Sequence, residues 1–450
     1  MAFMGYDDTI DYLYGLQKHG IKLGLNNITQ LLSSFKNPQN YFLSVHVAGT
    51  NGKGSTSAML ASILRAAGLK AGLFTSPHLT SFTERIRIND EQITESEVVS
   101  LTEEIREAAS QIENFSPTFF EFITAMGFLY LRRKNVDWAV VEAGMGGRLD
   151  ATNILIPEVS VITSVSYDHK EFLGNTISAI AGEKAGIIKD RVPVVTSSQN
   201  PEVLDVVERT AEEKGSDVFV YGRDFSAVVK AEDINGSVFS YYGDKNFEDL
   251  RINLPGRHQV LNASLALKAI EIFSRKSSHH ALRITHNAIR YGLENIKWHG
   301  RLEFISGNPP ILIDGAHNPS ASVVLADSLR NNFFKTFKGG LILIMGIMAA
   351  KDIKGIMEPL LPLASEIILT APAYERAASP QRLAECASAM GFSNIHIAQT
   401  VKDAIEMAKT ITNNQSLIPN PLILITGSFY TTGEAKEILG GKGILSRLRE

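Results

Sequence analysis

The sequence predicts an α/β protein in two parts: a P-loop parallel-sheet N-terminal domain with a small β-meander, and a second Rossmann-like α/β C-terminal domain. Short runs rich in Val and Ile alternate with helix-period segments from Tyr41 onward, the pattern of parallel strands joined by crossover helices. The alternation stops once, between Asp224 and Leu254, and starts afresh after Trp298-His299-Gly300-Arg301. A chain of 450 residues also exceeds what one hydrophobic core usually supports. The boundary is placed between Asn295 and Arg301, giving domains 1–296 and 297–450.

In chain order, strands are expected at Phe42–Ala48, Ala71–Thr75, Trp138–Glu142, Val159–Val165 and Val192–Thr196. Within Ser55–Ala67 the residues Met59, Leu60, Ile63 and Leu64 recur at spacings of three and four, so one helix face should meet the sheet, and Gly68 should end that helix. Asn235-Gly236 and Gly243-Asp244 divide the alternating stretches between Asp224 and Leu254 and read as hairpin turns. Helices at Val260–Phe273 and Ala281–Asn295 close the first domain. The second reads as strand Ile311–Ile313, helix Ser320–Asn332, strand Leu341–Met345, helix Ile353–Leu361 and strand Ile367–Leu369. Helices near Arg382–Met390 and Val401–Ile411 and a strand at Leu422–Thr426 follow. The apolar run Leu341–Ala350 is a buried strand leading into a turn, well short of the roughly 20 residues that span a bilayer.

A hydrophobic fraction of 44%, a charged fraction of 20% and a net charge of −4 leave no electrostatic footprint for nucleic acid, so small-molecule partners are expected. The single cysteine, Cys386, forms no internal disulfide or cysteine metal cluster. Met1-Ala2-Phe3-Met4-Gly5-Tyr6-Asp7-Asp8 lacks a basic segment followed by an apolar one, so no secretory leader is read there. A cytoplasmic monomer, away from membranes, is the expectation.

Chemistry concentrates at strand ends. Val45-His46-Val47-Ala48-Gly49-Thr50-Asn51-Gly52-Lys53-Gly54-Ser55-Thr56 reads as a buried strand, a glycine-rich loop and a helix start. The three glycines let backbone amides approach an anion, and the helix start points unpaired N–H groups at the same place. Lys53 adds positive charge, and Ser55 or Thr56 a hydroxyl near a phosphate-bound metal. The spacing departs from G-x-x-x-x-G-K-[ST], because Gly54 separates Lys53 from Ser55 and Val47 stands where the first glycine belongs. That argues against an ordinary P-loop kinase or GTPase.

Glu142 ends an apolar strand before the bend Gly144-Met145-Gly146-Gly147, at the sheet edge where ligands gather, and is placed to bind Mg²⁺ beside phosphates. Asp168-His169 follows the next strand; His169 is either a second ligand or a hydrogen-bonded structural histidine. Ser76, in Thr75-Ser76-Pro77-His78-Leu79, is either a Mg²⁺ or phosphate contact or a turn cap. Lys184 lies among small and apolar residues, where composition alone favours a surface lysine. Thr118 and Glu121 match a capping box, and the intervening Phe119 and Phe120 read as core by pattern, with a ring-binding pocket as the alternative. Leu312-Ile313-Asp314-Gly315-Ala316-His317-Asn318-Pro319 repeats the strand-to-helix arrangement with Pro319 near N1. A ligand site on each domain predicts a cleft between them.

Gly49 to Ser55, Ser76-Pro77-His78-Leu79 with Glu84-Arg85, Glu142 to Asn153, Asp168-His169, Glu183-Lys184-Ala185-Gly186 and Asp314 to Asn318 occur here in this order. Together they resemble the folylpolyglutamate synthase and dihydrofolate synthase branch of the Mur ligase family over nearly the whole chain. The resemblance implies an N-terminal ATPase domain whose Thr50, Asn51, Gly52, Lys53, Gly54 and Ser55 hold ATP phosphates, and a C-terminal glutamate-ligase domain. It implies Ser76, Glu142 and His169 as Mg²⁺ ligands and Asn262, Arg301 and Asp314 as nucleotide contacts. Lys53, a carbamylated Lys184 and His317 would serve catalysis, while Thr118, Phe119, Phe120, Glu121, Leu149, Asp150 and Ala151 would line a pterin pocket.

The implied reaction is ATP-dependent amide formation through an acyl phosphate, with dihydropteroate or folates, L-glutamate and ATP as substrates. First addition of glutamate, extension of a glutamate chain, or both remain open, with a bifunctional enzyme preferred. A peptidoglycan-precursor ligase of the larger family, against which Gly54 argues, and a nucleotide-dependent switch are the alternatives.

Overall fold

The computed structural model describes residues 5–20, 24–275, 284–414 and 421–440. Strands β1 (Leu43–Ala48), β2 (Ala71–Phe74), β3 (Ile86–Ile88), β4 (Glu91–Gln92), β5 (Trp138–Glu142), β6 (Val159–Ile162), β7 (Val194–Thr196) and β8 (Val218–Val220) form one sheet in the order β4-β3-β2-β5-β1-β6-β7-β8. Pairings from β2 to β8 are parallel, and β3 and β4 add an antiparallel edge. β1 lies between β5 and β6, so the phosphate-loop motif, the Glu142 bend and the Ser166–His169 segment emerge side by side. β5 and β6 are buried throughout, as expected of parallel strands covered on both faces.

The helix after β1 spans Lys53–Ala66, and its expected stripe of Met59, Leu60, Ile63 and Leu64 is fully buried. That face packs against the sheet as expected, and Ser57, Ala58 and Ser62 are buried as well. The helices Arg257–Arg275 and His286–Glu294 pack over its outer side. Ser62 donates to the Gly292 carbonyl at 2.7 Å, and a Cβ on Gly292 would stand 2.6 Å from Ile63 Cα. Gly68 follows the helix at φ +75°, as expected of a C-terminal glycine. The Ala281 start expected for the second closing helix lies outside the described residues.

The interrupted stretch is an antiparallel meander of β9 (Ser226–Asp233), β10 (Gly236–Tyr242) and β11 (Phe247–Ile252). A buried charge cluster pins it to the Arg257–Arg275 helix. Lys268, 1% exposed, bonds Asp244 Oδ1 at 2.7 Å and Glu271 Oε2 at 3.2 Å, and Tyr241 donates to Glu271 at 2.9 Å.

The second sheet runs β12-β13-β17-β14-β15-β16, from β12 (Glu303–Ile305), β13 (Ile311–Ile313), β14 (Leu341–Met345), β15 (Glu366–Leu369), β16 (Ile395–Ile397) and β17 (Leu422–Thr426). Only β12 pairs antiparallel. The helix expected from Ser320 begins at Pro319 and turns into a π-turn at Leu329–Phe333. The helix expected to reach Leu361 stops at Met357, because Pro359 and Pro362 lack the N–H groups that would extend it.

Candidate active site

The carboxyl ends of β1, β5 and β6 meet those of β13 and β17 across a cleft of about 880 Å³, lined by every candidate site residue except Thr56, whose hydroxyl is buried behind Ser55 and so is not the one offered to a phosphate-bound metal. Packing accounts for the glycines of the phosphate loop one by one. Gly49 and Gly52 hold φ of +148° and +91°; a Cβ would stand 1.8 Å from Thr163 Oγ1 at the first and 2.5 Å from Asn262 Oδ1 at the second. At Gly54 the obstacle is the Trp298 indole, 2.8 Å away, with Glu142 Oε2 at 3.4 Å. The extra glycine that sets this loop apart is therefore matched to the linker between the domains. The Arg87 guanidinium lies 5.4 Å from the Trp298 ring centre.

Lys53 Nζ donates to the Gly49 and Thr50 carbonyls at 3.1 and 3.2 Å and lies 3.9 Å from Glu142 Oε1. Glu142 is 4% exposed and accepts the Ser76 N–H at 3.3 Å. Burial pushes its pKa up to about 6, against the opposing pull of Lys53. A buried carboxylate with so little compensation favours an added cation. His169, at φ +49° and exposed on the cleft wall, has its pKa brought down to about 4 by desolvation within the cleft despite the neighbouring Asp168, which favours the neutral imidazole with a lone pair for a metal.

Among the described residues no three His, Cys, Asp or Glu side chains are grouped as a metal cluster. The donor set of Glu142, Ser76 and His169 suits an ion that completes its shell with phosphate oxygens and water, as Mg²⁺ does.

Lys184 is 3% exposed and donates to the Gly49 carbonyl at 2.8 Å, so the surface reading suggested by composition is corrected. Burial first, then Lys53, lowers its pKa to about 7. The 144–150 bend is locked onto the Ile177–Ala185 helix: a Cβ would stand 2.8 Å from the Glu183 carbonyl at Gly147 and 2.3 Å from Arg148 Cβ at Gly186. The small residues that made this stretch look unremarkable let helix and bend approach.

At the other end of the cleft, Thr118 and Glu121 form the expected capping box, at 3.2 and 2.7 Å. The core reading of the paired aromatics is corrected, since Phe119 and Phe120 are half-buried at the cleft wall. Phe119 stacks on Tyr14 at 5.6 Å with the Arg85 guanidinium 5.4 Å from its ring, and Phe120 occupies the space a Gly144 side chain would need. Asp150 is buried and accepts the Met145 N–H at 2.9 Å, tying the bend together; Leu149 and Ala151 flank it.

On the second domain, Asp314 accepts the Leu302 and Ala316 N–H groups, both at 2.9 Å. Burial raises its pKa while Arg301 opposes, and the Arg301 guanidinium lies 4.6 Å from the Phe429 ring centre. His317 Nδ1 donates to the Gly315 carbonyl at 2.9 Å, and Nε2 faces Asp168 at 3.6 Å.

Ser320 and Lys351, which line the cleft, and Asn318, which bonds Ser320, are among the residues that had no role from the sequence. Asn318 exchanges amide hydrogen bonds with Asn51 of the phosphate loop at 3.1 and 3.0 Å, and Ser320 accepts from Asn51 at 2.8 Å. Lys351 pairs with Asp168. Burial would raise the Asp168 pKa, but His317, His169 and Lys351 together hold it well below the usual carboxylate range. Asn318 carried a local signal, since it caps the helix that begins at Pro319; Lys351 carried none.

Residues 47–270 match the Mur ligase middle domain, and residues 300–429 match the Mur ligase glutamate ligase domain. A Bacillus subtilis protein named dihydrofolate synthase/folylpolyglutamate synthase is 35% identical over 443 residues, covering 97% of this chain and 100% of the relative. The structure of Mycobacterium tuberculosis folylpolyglutamate synthase complexed with ADP superposes with a TM-score of 0.89 at 31% identity, covering 98% of this chain and 100% of that one. Escherichia coli FolC in complex with DHPP and ADP gives a TM-score of 0.83 at 29% identity over 96% of this chain and 97% of the other.

Proposed function

The chain belongs to the Mur ligase family, in its dihydrofolate synthase/folylpolyglutamate synthase branch, and from that premise we propose that it joins L-glutamate to the carboxylate of dihydropteroate and of folates. The observation that carries this reading is that a phosphate-binding loop and an aromatic-walled pocket open into one cleft with the buried Glu142 between them. The substrate carboxylate attacks the γ-phosphorus of ATP, giving an acyl phosphate and ADP; the α-amine of glutamate then displaces phosphate and loses a proton.

The first step brings like charges together, and Lys53 with the loop amides offsets that repulsion. Bound Mg²⁺, held by Glu142, Ser76 and His169, would neutralise further phosphate charge. Lys184, with its pKa near 7, has a substantial neutral fraction at neutral pH. Its amine can add CO₂ and release a proton, which replaces a cation beside Lys53 by a carboxylate-like anion. In this reading Arg301, Asp314 and Asn262, which line the cleft, contact the nucleotide, and His317, oriented by the Gly315 carbonyl, serves the reacting groups.

The acyl phosphate must be kept from water, and the Asn51–Asn318 amide pair supplies a contact that holds the domains together. In this reading residues 1–296 bind ATP and catalyse, residues 297–450 form the glutamate-ligase domain, and the protein works as a cytoplasmic monomer. No described helix is long and apolar enough to cross a membrane.

Incubation with ATP and dihydropteroate, with and without glutamate, tests the proposal. Glutamate-dependent phosphate release with a new amide product is expected, and slow ATP hydrolysis indifferent to both other substrates would overturn it. Turnover of dihydropteroate and tetrahydrofolate at comparable kcat/KM is expected of a bifunctional enzyme.

A further inference from the structure

On the face of β1 away from the phosphate-loop helix, His46 is fully buried and yet bonded through one nitrogen only. Its neighbours Val45 and Val47 point into the core with Met59 and Leu60, so strand alternation sends the imidazole to the other side. Nε2 lies 2.8 Å from Thr152 Oγ1, and Nδ1 has no hydrogen-bond partner. Thr152 Oγ1 in turn lies 2.5 Å from Asp150 Oδ1, which also accepts the Thr152 N–H at 3.0 Å. Nothing in the reaction derived above uses the imidazole.

Counting protons fixes the direction of this chain. An ionised carboxylate only accepts, so the single hydroxyl proton of Thr152 goes to Asp150, and the hydroxyl oxygen is left to accept from the imidazole Nε2–H. The ring is then neutral with a bare Nδ1, the tautomer that a buried Nδ1 without a partner requires, since an N–H there would carry its whole desolvation cost. Burial drives the His46 pKa down to about 3, which keeps the ring neutral. Burial also raises the Asp150 pKa, and its hydrogen bonds from Thr152 and Met145 counter that by favouring the charged form.

We propose that His46 is a positioning residue that acts through Thr152 to keep Asp150 charged and aimed into the cleft as an acceptor for ring N–H groups of the pterin acid, an inference that rests on the ligase reading. Without the imidazole the Thr152 hydroxyl loses its donor and is free to turn. Asp150 then takes up a proton more readily and meets a ring N–H with an O–H.

His46→Leu removes the donor at similar volume, Thr152→Val breaks the chain one link later, and His46→Gln restores an N–H near the Nε2 position. The Leu and Val variants should each raise KM for dihydropteroate about tenfold, the scale of one charge-assisted hydrogen bond. KM for ATP should stay within about twofold, the double variant should be no worse than either single one, and Gln should recover most of the loss. A parallel rise in both KM values, or a Gln variant as poor as Leu, would mean general loosening and overturn the proposal.

Imidazole ¹⁵N shifts of the unaltered protein supply a measurement independent of variant folding: a bare Nδ1 is expected, and an Nδ1–H refutes the relay. If the unaltered enzyme does not use dihydropteroate, the functional reading fails and the positioning role with it. If it does and the variants match it, only the positioning role falls.

Discussion

Replacing Gly54 by Ala adds one methyl group at the point where the phosphate loop meets the interdomain linker. That carbon would stand 2.8 Å from Trp298 Cζ2, whereas unstrained carbon contacts lie at about 3.5–4.0 Å, so loop or indole must yield by roughly 1 Å. The indole is rigid and packs against Arg87, while the Glu142 oxygen at 3.4 Å is in ordinary contact. Overpacking of this kind costs about 1–3 kcal/mol, or about 5- to 150-fold in an equilibrium constant.

If the loop yields, the loss falls on ATP affinity; if the linker yields, on stability. Calorimetric titration of ATP and thermal unfolding should therefore show a summed loss in that range for Gly54→Ala. In a Trp298→Leu background, where the obstructing ring edge is gone, the same methyl should cost under about 0.5 kcal/mol, the additivity error for independent sites. An unchanged ATP Kd and Tm for Gly54→Ala, or an equal loss with and without the indole, would refute the matching of loop to linker.

Glu142→Gln keeps the shape of a buried side chain and removes its charge, so phosphate release should fall about 100-fold or more while Tm holds or rises; a fully active variant would contradict the cation-binding role. As a free amine, before any addition of CO₂, Lys184 has its folded pKa, about 7, below the unfolded value of 10.5, so in CO₂-free buffer between those limits the unfolded chain binds the extra proton and unfolding free energy should rise with pH. Urea titrations from pH 7 to 10 should show that rise, and Lys184→Met should flatten it; a variant with the unaltered slope would show that another group carries it. Lys268→Met leaves Glu271 and Asp244 without their buried partner and should cost about 3–5 kcal/mol in denaturant unfolding. A loss under 1 kcal/mol would mean that Arg275 and the backbone already compensate those carboxylates.

What could be read in the sequence follows from what local pattern encodes. β1, β5, β6, β14 and β17 were legible because burial leaves short segments rich in Val, Ile and Leu. β3, β4 and β12 were not, since two or three residues at a sheet edge have no measurable period. Strand ends drew attention to Glu142, Asp168-His169 and Asp314, because a parallel sheet collects its ligands there. Lys184 was misjudged by composition, as its burial depends on a helix pressed against a bend some thirty-five residues away in sequence.

The same division separates two glycines of the phosphate loop. Gly52 opens a helix at positive φ, a requirement written in its own backbone. Gly54 has no such φ and sits inside the helix, where alanine is the better residue by propensity. Only the indole of Trp298, brought in from the interdomain linker, makes a side chain there costly. A glycine with no backbone reason to be glycine thus reports a distant neighbour, and in this chain that neighbour joins the phosphate loop to the segment that links the two sheets.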